Sequence, residues 1–121
     1  MIALVVEDNQ ELNALFTEAL QEAGFITESV LDGQEAELRL KDAAPQLILL
    51  DLHLPYISGA DLLVKIRQNP RLKETIVVIA SADGTWAGLI NEQADFVMNK
   101  PVSYVQLRDL GIRIYRNMTK E

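Results

Sequence analysis

The chain has 121 residues, 49% of them apolar, which suits one domain with one contiguous core and leaves no room for a second. Eleven Lys and Arg against eighteen Asp and Glu give a net charge of −7, so most of the surface repels DNA and direct nucleic-acid binding is not expected. Cysteine is absent, which excludes a disulfide framework, a thiolate metal site and a Cys nucleophile; no apolar run is long enough to cross a bilayer, and no signal-peptide pattern opens the chain. A cytoplasmic protein without membrane contact is the expectation.

Five short apolar runs alternate with helical periodicity, the pattern of βα units wound on a parallel sheet. In chain order the runs are Ile2–Val6, a weak one over Phe25–Val30, Leu47–Leu50, Ile76–Ala80 and Phe96–Met98. The first, third and fourth are apolar on successive residues, so they are expected in the centre of the sheet with both faces covered. Between the first two runs, Leu12, Leu15, Phe16, Leu20 and Ala23 recur at helical spacing, with Asn9 as a cap and Gly24 as a stop. A second helix starts near Asp32-Gly33 and ends before Pro45; a third carries Leu62, Leu63 and Ile66 and stops before Pro70. The last helix runs from about Ser103 with Val105, Leu107, Leu110, Ile114 and Met118, and its interior Gly111 costs about 1 kcal/mol relative to Ala. Helical signal is poorest between Ser81 and Asp95, so any helix there is short.

In an open parallel sheet, ligands bind beyond the carboxyl ends of the strands. Here those ends carry Glu7-Asp8, Asp51, Ser81 and Asn99-Lys100-Pro101. Each has an ordinary alternative: the acid pair favours a helix N-terminus, Asp51 opens a loop, Ser81 makes a turn and Lys100 is a solvated charge. Pro101 has two readings as well, a cis bond that turns Lys100 inward or the start of a helix. Their coincidence at four strand ends favours phosphoryl transfer to a carboxylate. Three neighbouring carboxylates repel one another unless a hard cation such as Mg²⁺ joins them, which makes Glu7 and Asp8 the metal site. Lys100 and the Ser81 hydroxyl would stabilise the transferring group, and Asp51, already ionised at neutral pH, would attack in line.

With these residues in place, the chain resembles the receiver domains of two-component response regulators (CheY-like) over nearly its whole length. Val5-Val6-Glu7-Asp8-Asn9 is similar to the family's first strand and acid pair. Leu49-Leu50-Asp51-Leu52-His53-Leu54-Pro55 with Gly59 resembles the segment around its phosphorylated aspartate, Ala80-Ser81-Ala82 its Thr/Ser-Ala and Lys100-Pro101 its Lys-Pro. The resemblance implies a three-layer, doubly wound α/β fold with a five-stranded parallel sheet of order 2-1-3-4-5, flavodoxin-like in topology. It implies phosphorylation of Asp51 by a sensor histidine kinase or histidine phosphotransfer protein, slow self-catalysed dephosphorylation, and no other enzymatic activity. Asp8 is then a direct Mg²⁺ ligand, Glu7 reaches the metal chiefly through water, the backbone carbonyl of His53 completes the protein's share, and Ser81 and Lys100 contact the phosphoryl group. Output is altered binding of a downstream protein, with a phosphorylation-dependent homodimer left open.

Departures from the family pattern fall on residues that tune or relay. The side chains of His53 and Asp83 stand where the family tunes its dephosphorylation rate. Each has an ordinary reading as well, His53 as an exposed loop imidazole, which is favoured, and Asp83 as a solvated loop charge, while a zinc site of His53 with Asp51 lacks His or Cys partners. Val97 occupies the usual place of a switch aromatic, and Phe96, one residue away, is expected on the opposite side of the strand. The segment before it looks about one helical turn short, and Trp86 within it marks either a partner surface or a cover for a thin core. Residues 1–121 are read as a single receiver domain with no output domain, hence a free-standing shuttle or relay member. The rivals are a phosphorylation-independent docking module with the same fold, an aspartate-nucleophile phosphatase, which His53 in place of a second Asp disfavours, and a flavin protein, which Glu-Asp-Asn after the first strand disfavours.

Overall fold

Successive apolar residues bury both faces of a strand, and the computed structural model, which describes residues 1–82 and 93–120, places these runs at the centre of its sheet. The strands are β1 (Ile2–Val6), β2 (Ile26–Val30), β3 (Leu47–Asp51), β4 (Ile76–Ser81) and β5 (Phe96–Asn99). All neighbours pair in parallel, in the order β2-β1-β3-β4-β5. β1, β3 and β4 are thus the inner strands, as expected. β2 and β5 are edges, and Ile26 and Phe96 on them are exposed.

Four α-helices are found among the described residues: α1 (Gln10–Glu22), α2 (Gly33–Asp42), α3 (Gly59–Gln68) and α4 (Tyr104–Thr119). Each begins on a side chain that accepts from a backbone N–H its helix leaves unpaired: Asn9, Asp32, Ser58 and Ser103. Ser103 and Gln106 satisfy each other's backbone N–H in a capping box. The short helix expected between Ser81 and Asp95, together with Asp83 and Trp86, lies outside the described residues.

One layer of helices, α1 and α4, covers Ala3, Val5, Leu49, Val78 and Ala80; α2 and α3 cover Leu4, Val6, Ile48, Leu50, Val77 and Ile79 on the other face. The stripe of α4 differs in one residue from the sequence reading. Leu107 and Ile114 are buried but Val105 is 51% exposed, because two residues along a helix is about 200° of rotation and turns Val105 off the Leu107 face. Gly111 replaces it in the core. A Cβ there would lie 2.9 Å from Ala23 Cβ and 3.0 Å from Leu20 Cδ2, so its propensity cost is accepted for a close approach of α4 to α1.

Candidate functional site

Strand register sets the site. Val6, Leu50, Ile79 and Val97 form one row across the four neighbouring strands β1, β3, β4 and β5, all packed on the α2–α3 face. One residue further along, the row of hydrocarbon ends. Glu7 and Asp51 follow Val6 and Leu50, while Ala80 and Met98 continue β4 and β5, and Ser81 pairs with Asn99 one step beyond.

The structure brings the acid pair and Asp51 together: one carboxylate oxygen each from Glu7, Asp8 and Asp51 lie within 4.8 Å of one another. Glu7 and Asp51 are buried, at 1% and 4% exposure, and Asp8 is exposed. Lys100 reaches in from the loop after β5, with Nζ at 2.7 Å from Glu7 Oε1 and 3.3 Å from Asp51 Oδ2. Its peptide to Pro101 is cis, and α4 starts only at Tyr104, so Pro101 is not a helix-starting proline. Ser81 is buried at the end of β4, and its carbonyl accepts from the Lys100 N–H at 2.8 Å. His53 touches the site through its backbone: its N–H donates to Asp51 Oδ1 at 3.1 Å, and its side chain is exposed.

Three carboxylates against one ammonium leave a surplus of negative charge in a partly desolvated place. Burial pushes the Glu7 carboxyl up, and the nearby Asp51 charge adds to this, against the opposing hydrogen bonds from Lys100 and Asn9. For Lys100, burial favours the neutral amine, yet the hydrogen bond to Glu7 and the fields of Asp51 and Glu7 outweigh it, so its pKa is raised and the ammonium stays charged. The donor set is all oxygen, which suits a hard cation rather than a thiophilic one. This acidic cluster could hold a metal ion.

Gly59 explains the tight closure around Asp51. A Cβ on Gly59 would stand 2.1 Å from the Asp51 carbonyl oxygen and 2.5 Å from Leu52 Cα, so the start of α3 lies directly on the strand end that carries the carboxylate. The Gly59 N–H donates to the Leu52 carbonyl at 2.9 Å, closing the intervening loop on itself.

The family model for the response regulator receiver domain matches residues 3–110. The chain belongs to this family. The receiver domain is 36% identical over 107 residues to the phosphate regulon transcriptional regulatory protein PhoB of Rhizobium meliloti, a match covering 85% of this chain and 47% of that protein. A CheY-like receiver domain from Methylobacillus flagellatus superposes with a TM-score of 0.84 at 30% identity, covering 94% of this chain and 98% of that one. The signal receiver domain of a histidine kinase from Syntrophus aciditrophicus gives 0.86 at 27% identity, covering 99% and 93%. The chain spans about half the length of the first curated relatives it matches. It is a receiver domain of two-component signalling rather than a classical enzyme, and no helix among its described residues is long and apolar enough to cross a membrane.

Two further residues are placed by the structure. Val97 packs with Leu50 and Ile79 on the α2–α3 face, while Phe96 lines a cleft with Ile76, Ile114 and Met118 on the other, the alternation the sequence predicts. Asn13, which sequence reasoning passed over, is buried in the apolar stripe of α1 and hydrogen-bonds the end of β1. An amide at a core-facing position of an otherwise apolar helix face was the available signal.

Proposed function

We propose that the receiver domain accepts a phosphoryl group on Asp51 with Mg²⁺ held by the acidic cluster, and that residues 1–121 act as one such unit. The observation that carries this reading is the burial of Asp51 at the end of β3 beside the Glu7-Asp8 pair, with the Lys100 ammonium in contact with both Glu7 and Asp51. Bound there, Mg²⁺ would offset the excess negative charge and polarise a phosphoryl oxygen. Glu7, Asp8, Asp51 and the backbone carbonyl of His53 would hold it.

Every other role belongs to the chain itself. Asp51 needs no base, since its carboxylate is already the nucleophile. A carboxylate oxygen bonds to phosphorus as the phosphorus–nitrogen bond of a donor phosphohistidine breaks; the imidazole nitrogen leaves with the electron pair. Lys100 lies on the Oδ2 side of Asp51 and is placed to accompany charge that moves onto the phosphoryl oxygens. Ser81, buried next to it on β4, would contact another of those oxygens. The His53 N–H on Oδ1 fixes the carboxylate plane. His53 and Asp83 would set the lifetime of the product through the approach of water, and with Val97 where an aromatic switch usually stands, the coupling from Ser81 toward β5 would be altered from the family's usual relay.

The donor would be a sensor histidine kinase or histidine phosphotransfer protein, and the readout a changed affinity for a downstream protein or for a second phosphorylated copy, in the cytoplasm. Incubation with Mg²⁺ and acetyl phosphate, followed by intact-mass measurement, should show one added phosphoryl group on the wild type and none on Asp51→Asn. A wild-type mass that stays unshifted while a competent receiver control is labelled would sink the proposal and favour phosphorylation-independent docking.

A further inference from the structure

Helix α1 faces the sheet with Phe16, Ala19 and Leu20, and among them stands one buried amide, Asn13, 5% exposed. A leucine would suit that apolar face better, since burying an amide is unfavourable unless its hydrogen bonds are made. Both of its N–H groups are used. Nδ2 donates to the carbonyl of Glu7 and to the carbonyl of Val30, each at 3.0 Å. The Glu7 N–H donates to the same Val30 carbonyl at 3.3 Å. These groups lie just past Val6 and Val30, the last pair of the β1–β2 ladder, where ladder hydrogen bonds run out.

The backbone of Glu7 is therefore held on both sides of its Cα, by Val30 on its N–H and by Asn13 on its carbonyl. The single hydroxyl proton of Thr17 goes chiefly to the Asn13 backbone carbonyl, at 2.7 Å, with the side-chain Oδ1 at 3.3 Å as its second, longer acceptor. Glu7 and Asp8 need such a hold. They and Asp51 bring three carboxylates together, and mutual repulsion acts to open the turn between β1 and α1 whenever no cation is bound.

We propose that Asn13 is a positioning residue for the acid pair, keeping the carboxylates of Glu7 and Asp8 in cation-binding geometry before the cation arrives. This rests on the reading that the cluster binds Mg²⁺. By pre-forming the turn, Asn13 lets the cation bind without first ordering the backbone that presents its ligands.

Asn13→Leu keeps the bulk and removes both N–H groups. Mg²⁺ titrated calorimetrically into the full chain, at a temperature where circular dichroism shows every variant folded, should bind Asn13→Leu about tenfold more weakly than wild type. Leu72→Ala, a buried change among the residues packed with α3, should lower the melting temperature while leaving Mg²⁺ affinity at the wild-type value. Should Asn13→Leu fail to fold, Asn13→Ala, which also removes both N–H groups, carries the test, with a weakening in the same direction. Wild-type affinity in a folded Asn13→Leu, or in Asn13→Ala where that is the variant measured, overturns the proposal and makes Asn13 a purely structural residue. Absence of Mg²⁺ binding to wild type overturns the metal reading itself, a distinct result.

Discussion

The turn after β1 and the loop after β3 both deliver carboxylates to one site, and they are held in opposite ways. The first is tied by side chains: Asn13 on the Glu7 carbonyl, the Asn9 N–H on Glu7 Oε2 at 3.2 Å, Asn9 Oδ1 on the Leu12 N–H, and Lys100 on Glu7 Oε1. The second is tied by its own backbone. Gly59 closes it onto Leu52, the Ile57 carbonyl lies over Gly33 at the start of α2, and Leu54 and Ile57 pack against the core. Inside that closure the Ile57 N–H donates to the Pro55 carbonyl at 2.9 Å, a three-residue turn centred on Tyr56 at φ 70°, with the tyrosine 82% exposed. A bulky residue in that conformation is strained. Concentrated like charges are restrained by side-chain hydrogen bonds to a backbone in ordinary conformations, whereas the loop beside Asp51 keeps a strained turn because both its ends are fixed by packing.

The largest effect should come from undoing the backbone closure. Gly59→Ala sets a methyl against the Asp51 carbonyl oxygen, and urea unfolding should show a loss of about 3 kcal/mol, with labelling of Asp51 by acetyl phosphate falling in parallel. If Gly59→Ala is as stable as wild type, the loop is not pinned as described.

The charged turn is broken by pH. The folded Glu7 carboxyl is raised above its ordinary 4.5, so its contribution to stability is fully present below pH 4.5 and is lost as pH climbs through the raised value. In EDTA, wild-type stability should therefore carry a falling component from pH 4.5 toward neutrality, and Glu7→Gln should flatten it; unfolding curves at several pH values measure this. Added Mg²⁺ should raise the melting temperature more at pH 7 than at pH 5, because proton and cation compete for the same oxygens. Equal Mg²⁺ shifts at both pH values would separate Glu7 from the cation site.

The smallest effect has the opposite sign. Tyr56→Gly removes the strain of a positive φ and an exposed ring, and thermal or urea unfolding should show a gain of about 0.5–1 kcal/mol. A loss instead would mean that the tyrosine ring holds the loop and that the contrast with the first turn is misplaced.

Much of this was legible in the sequence because it depends on local pattern. Runs apolar on successive residues identify inner strands of a parallel sheet, and β1, β3 and β4 are indeed the inner ones. Residues that end such runs must emerge at the carboxyl edge, so Glu7, Asp51, Ser81 and Lys100 could be grouped before any coordinates. Val105 shows where pattern reading fails: it is apolar and close to the helix start, yet its angle turns it away from the buried stripe. In the sequence Gly111 is only a propensity cost; the packing of α4 on α1 alone reveals what a Cβ there would strike.

By itself the sequence determined the winding of βα units, the inner strands and the set of residues at the strand ends, since each follows from alternation and spacing along the chain. Tertiary structure alone decided how those residues are paired. Lys100 is 93 positions from Glu7 and meets it more closely than Asp51, and Asn13 spans the ends of β1 and β2. Such contacts depend on strand order, register and the angle at which helices cross the sheet, which no local periodicity encodes.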